Sequence, residues 1–112
     1  MKLVNLTPHS LTIYSGDTVI VDQAPDGPMA RCAETRTLAD PITVDGHEIP
    51  VSVVGFGEVT GLPDPQPGVI YVVSRATAEA APPDRDDVMY PDGQVRDESG
   101  RIIGCRGLAR VG

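Results

Sequence analysis

Tryptophan is absent from the 112 residues and phenylalanine occurs once, so only Tyr14, Phe56, Tyr71 and Tyr90 are aromatic. A core for this chain must be built mainly from Val, Ile, Leu and Ala. Lysine is as scarce: Lys2 stands alone beside eight arginines. The net charge of −7 and the pI near 4.5 disfavour binding to long nucleic acid or to an anionic membrane surface. No apolar run has membrane length and no signal-peptide pattern precedes the first strand-like segment, so the expected location is the cytoplasm. There Cys32 and Cys105 would stay reduced. Two Cys and two His, each isolated, make no structural zinc pattern. No Gly-rich, Lys-containing phosphate loop and no Gly-x-Ser-x-Gly elbow is present. Neither a metal nor a cofactor is expected.

Glycine (12) and proline (11), by contrast, are abundant, which suits short strands and many turns better than helices. The length fits one domain, residues 1–112, with a modest core. The strongest local signal is Gly68-Val-Ile-Tyr-Val-Val-Ser-Arg-Ala-Thr-Ala-Glu-Ala-Ala81. Val69 to Val73 is apolar without alternation, as in a central strand covered on both faces. Ser74 suits an N-cap, the alanines that follow favour helix, and Pro82-Pro83 ends it.

The rest of the chain reads as strands and turns. Lys2–Leu6 is a first strand, broken by Thr7-Pro8-His9-Ser10. Leu11–Tyr14 and Thr18–Val21 flank Ser15-Gly16-Asp17, a hairpin. Met29–Thr37 alternates with neither face strongly apolar. Pro41–Val44 and Glu48–Val54 flank Asp45-Gly46, a two-residue hairpin turn. Gly55–Glu58, and then Val59–Gly68 with its three prolines, are expected to be irregular. Val88–Tyr90 is a brief strand before a Pro91-Asp92-Gly93 turn. Gln94–Arg96 and Arg101–Cys105 form a third hairpin, and the tail from Arg106 on is expected to have little structure. The expected fold is α+β and mainly β: a small curved sheet or barrel of short strands, with one short helix after the central strand.

The junction of that strand and helix carries the main functional expectation. A helix N-terminus beside a sheet edge favours an anion, and Arg75 adds planar donors. Six of the eight arginines fall in the last 38 residues, among them Arg85, Arg96 and Arg101, and could converge on phosphate or carboxylate. The plainer origin of the Arg excess is the codon preference of a G+C-rich genome. Ser74 could simply cap its helix, and Arg75 could be solvated. Phe56, between Gly55 and Gly57, could stack on a base or lie in the core. Thr7 and His9 sit at a rigid bend, where they could bind polar edges or only satisfy the turn. Asp84, Asp86 and Asp87 lack the spacing of a calcium loop, and an Arg85–carboxylate pair that fastens this segment is the simpler outcome. Cys105, beside Arg106, is either a nucleophile or a small buried hydrophobe.

Val4-Asn-Leu-Thr-Pro-His9, Phe56-Gly-Glu-Val-Thr-Gly-Leu-Pro63, Tyr71-Val-Val-Ser74, Arg85-Asp86-Asp87 and Val95-Arg-Asp-x-x-Gly-Arg-Ile-Ile-Gly-Cys105 resemble a family of small bacterial and bacteriophage proteins. The resemblance covers nearly the whole chain and brings no assigned reaction. Its phage association implies either virion or morphogenesis parts, or small proteins that bind or degrade nucleotide signals of host immunity. Three functions follow as expectations. The first is binding, even sequestration, of a small anionic nucleotide-like molecule through Thr7, His9, Phe56, Ser74, Arg75, Arg85, Arg96 and Arg101. The second is hydrolysis of such a molecule, with His9 as base and an Asp near Arg85 as its partner. The third is a structural or interaction module. Self-association into a homo-oligomer is compatible with each.

Overall fold

The computed structural model describes residues 1–112. Eight strands and one helix follow one another: β1 (Lys2–Asn5), β2 (Leu11–Ser15), β3 (Thr18–Gln23), β4 (Arg31–Val44), β5 (His47–Thr60), β6 (Val69–Val72), α1 (Arg75–Ala80), β7 (Val88–Arg96) and β8 (Ile102–Ala109). The chain is mainly β, with 57% of residues in strands and 5% in helix. Six strands form one curled, half-barrel sheet in the order β1-β6-β7-β8-β2-β3, and β4 and β5 form a separate two-stranded ribbon.

The apolar run predicted to be central is flanked on both sides. β6 pairs in parallel with β1 on one side and with β7 on the other. Parallel neighbours need a crossover of a dozen or more residues, and α1 with its flanking loops supplies the one from β6 to β7. Because side chains alternate along a strand, Tyr71 and Val73 join one cluster with Leu6, Ala30, Ala78 and Val88, under the helix. Val72 points the other way, into the curl, with Leu11, Ile13 and Cys105. Val72 and Val73 are fully buried. The strand thus joins two small cores, and this explains its lack of alternation. No helix is long and apolar enough to cross a membrane.

The turn chemistry acts where it was expected. Asp45 and Gly46 take φ values of 50° and 78°, the left-handed pair that lets a two-residue turn follow strand twist. Gly16, at 59°, turns β2 into β3. Three expectations need correction. Gly55–Thr60 is not irregular but continues β5, and β4 runs unbroken through Pro41, so the ribbon has 14 residues in each arm. Pro91-Asp92-Gly93 is not a turn; it lies within β7, opposite Leu108 and Gly107. The segment from Arg106 to Ala109 is strand, paired to β7. In all three places the breakers sit in extended backbone next to a partner strand. Gly93 accommodates its own departure with φ at 73°, facing Arg106.

Candidate functional site

β1 and β6 run side by side and end together: Asn5 is level with Val72, and the Leu6 N–H donates to the Val72 carbonyl at 2.8 Å. The segments that leave them, Thr7–Ser10 and Ser74, therefore emerge at one rim, the carboxyl end of a parallel pair where α/β sheets commonly hold ligands. A hollow of about 720 Å³ opens there, within the size range of small-molecule sites. Thr7, His9 and Ser74 line it, with Gln94 of β7. Ile102, Ile103 and Cys105 of β8 add apolar lining, with Cys105 level with Gln94 on the neighbouring strand.

Asn5 holds this rim in shape. It is wholly buried, and its amide donates to the carbonyls of His9 (2.9 Å) and Gln23 (3.0 Å). Its side-chain oxygen accepts from the Thr7 N–H at 3.0 Å and lies 2.7 Å from the Thr7 hydroxyl. Its backbone N–H donates to Asp26 at 2.7 Å. That bond, with one from the Gln23 amide, holds the Asp26 carboxyl below the usual carboxylate range. Thr7 is buried by this network, whereas His9 is exposed and its ring has no protein partner. Asn5 is not among the residues expected at the site, and nothing local in Lys2-Leu3-Val4-Asn5 marks it as this brace.

Ser74 caps α1. The Thr77 N–H donates to its hydroxyl at 3.3 Å, and the two hydroxyls are 2.9 Å apart. Arg75 pairs with Glu79 at 3.0 Å on the helix surface and lies 5.7 Å from the centre of the Tyr90 ring. It does not line the hollow, although its neighbour Ser74 does. Arg96 donates to the Gly100 carbonyl (2.8 Å) and to the Gln94 amide oxygen (3.2 Å). Arg101, next in the chain to Ile102, lies 3.7 Å from Asp97. The Asp97 carboxyl is held low by the Ser99 hydroxyl and by backbone N–H groups, including that of Arg101. Arg75, Arg96 and Arg101 therefore each adjoin a lining residue or bond to one, but none reaches into the hollow.

Arg85 and Phe56 are elsewhere. Arg85 makes a two-pronged pair with Asp87 at 2.8 and 3.0 Å and donates to the Pro63 carbonyl at 2.9 Å. This pair is largely covered and pins the loop between β5 and β6, where the Tyr71 hydroxyl also donates to the Asp64 carbonyl. Phe56 is exposed on β5, opposite Glu34. Of the eight residues singled out in the sequence, Thr7, His9 and Ser74 share the hollow and the other five do not line it.

Cys105 is 4% exposed, and its thiol donates to the Thr12 carbonyl at 3.6 Å. Burial pushes this thiol up, and the neighbouring Arg106 guanidinium turns away to the Gly16 carbonyl. Both cysteines are free. No acidic residue lines the hollow, and nowhere do three or more His, Cys, Asp or Glu gather as metal ligands. The arrangement offers hydroxyl, imidazole and amide groups for polar edges and apolar lining for a flat body. No protein-family model, curated protein or solved structure matches this chain.

Proposed function

We propose that this chain binds a small anionic, nucleotide-like molecule in the hollow at the ends of β1 and β6. The observation that carries this is the meeting of Thr7, His9 and Ser74, from two distant segments, around a ligand-sized space. A base or sugar would lie against Ile102 and Ile103, with its polar edges toward Thr7, His9 and Gln94. Its negative charge would face the rim, where Arg75, Arg96 and Arg101 are exposed and would have to turn from their present partners to meet it. Binding without turnover is favoured because no carboxylate faces His9 across the hollow to serve as its acid–base partner. With the resemblance to phage proteins, this supports sequestration of a signalling nucleotide in the cytoplasm. Arg85 is assigned to the fold, since its forks are engaged by Asp87 and Pro63.

Native mass spectrometry of protein purified from cells should show a retained small molecule. Thermal melts with a panel of linear and cyclic nucleotides test the same point. A ligand at 100 times its Kd adds about 2.7 kcal/mol of stability. His9→Ala and Arg75→Ala should each weaken binding at least about tenfold, while the unliganded proteins stay within about 0.5 kcal/mol of the parent, as surface changes do. If no nucleotide raises the melting temperature, the proposal fails. Conversion of the nucleotide to a new product would replace it with hydrolysis.

A further inference from the structure

The ribbon of β4 and β5 is exposed over nearly its whole length, and the rest of the chain covers only its base, near α1. Its two faces differ in kind. Residues directly opposite one another in an antiparallel pair point to the same side. One side of the ribbon therefore carries the pairs Thr37 with Val53, Ala39 with Val51, Ile42 with Ile49 and Val44 with His47. The irregularity between Ala39 and Ile42 keeps this set in phase across Asp40 and Pro41. The charged residues with a cross-strand partner in this stretch (Glu34, Arg36 and Glu48) fall on the other side. The uncharged side leaves Val53 59% exposed and Ile42 52% exposed.

Area indicates what covers it. The chain exposes 7707 Å², against roughly 5,900 Å² for a compact monomer of this mass. Its radius of gyration is 17.5 Å, where a compact chain of this length has about 13 Å. Both faces of the ribbon contribute to the excess of roughly 1,800 Å² per chain, and covering one of them removes a share comparable to the roughly 800 Å² per partner of a standard interface. A two-stranded ribbon alone in water is marginal at best, so its cover must be at hand whenever the chain is made. A second copy meets that condition. An uncharged face of β-branched residues can also pack on itself about a twofold axis, with no charge brought against its like.

We infer that two copies of this chain form a dimer in which the uncharged ribbon face of one packs on the same face of the other, as two stacked ribbons about 10 Å apart. Residues Ile42, Ile49, Val51 and Val53 are at the centre of the contact. Leu38 and Val54, on the charged side, remain exposed in the dimer.

The full-length chain, run by size-exclusion chromatography with light scattering at tens of micromolar, should have twice the 11.8 kDa mass of one chain. Ile49→Lys with Val53→Lys should give monomers, whereas Val54→Lys should leave the dimer intact. If the double variant fails to fold, a cysteine scan in a Cys32→Ser background decides. Cysteines placed one at a time at positions 37, 39, 51 and 53 should include at least one that forms an interchain disulfide on mild oxidation. Cysteines at 38 and 54 should form none. A monomer at these concentrations, a dimer that survives both lysines, or crosslinking only from positions 38 and 54 would overturn the inference. So would a ribbon face found occupied by a different protein.

Discussion

Arg85 and Asp87 show how a charged pair is read in each direction. The short two-pronged contact lowers the Asp87 carboxyl despite the burial that would raise it, and it raises the guanidinium. A carboxyl whose folded pKa lies below its unfolded value near 3.9 contributes stability above about pH 4. That contribution is lost as pH falls through the folded value. Arg85→Gln leaves the carboxylate without its cation and should cost about 1–3 kcal/mol at pH 7. The same variant should lose less further stability between pH 5 and pH 3 than the parent, since its Asp87 is no longer held low. Urea midpoints at pH 7, 5 and 3 would measure both effects, and equal acid losses in the two proteins would refute the assignment. This pair was legible in the sequence, because Arg85 and Asp87 lie two residues apart in a short charged run. Asn5 was not: nothing local distinguishes a brace for the His9 turn from a polar residue at a strand end.

At the level of elements, α1 is the place where a structural and a functional role can be separated. Its cap was legible from Ser74, the alanines and Pro82, all local features. What the serine faces depends on where β1 ends, and that long-range pairing leaves no local mark. Ser74→Ala removes the cap and should cost about 1 kcal/mol. Ser74→Asp keeps a capping oxygen and should be nearly neutral in stability, yet it sets a negative charge at the rim of the hollow. Binding of an anionic nucleotide should then fall at least about tenfold for the aspartate and less for the alanine. Equal affinities for both variants in calorimetry would confine Ser74 to capping. The long ribbon was illegible for a related reason. Pro41, Gly55 and Gly57 mark the ends of the expected strands, but both strands of a two-stranded ribbon are edges, where a missing N–H can face solvent without leaving a ladder partner unmet. Asp45-Gly46 fixed the turn, and the strands then extended past residues that would end a strand inside a sheet.

For the whole molecule, the balance between core and surface decides how stability is supplied. Only 15 of 112 residues are buried, and the core divides into two small apolar clusters on either face of β6. So small a core leaves a modest margin against conformational entropy. If stacked ribbons supply the remainder, unfolding and dissociation are one process, and the melting temperature must depend on chain concentration. Raising the chain concentration 100-fold, from about 1 to about 100 μM, favours the folded dimer by about 2.7 kcal/mol through mass action. Calorimetric or circular-dichroism melts should therefore shift upward by several degrees across that range for the parent and for Val54→Lys. Ile49→Lys with Val53→Lys should melt lower and at a temperature independent of concentration. Ligand binding in the hollow adds its own increment at any fixed concentration, and His9→Ala should remove that increment without changing the concentration dependence. A parent protein whose melting temperature is flat across the range would place the stability within the single chain and leave the uncharged ribbon face without its partner.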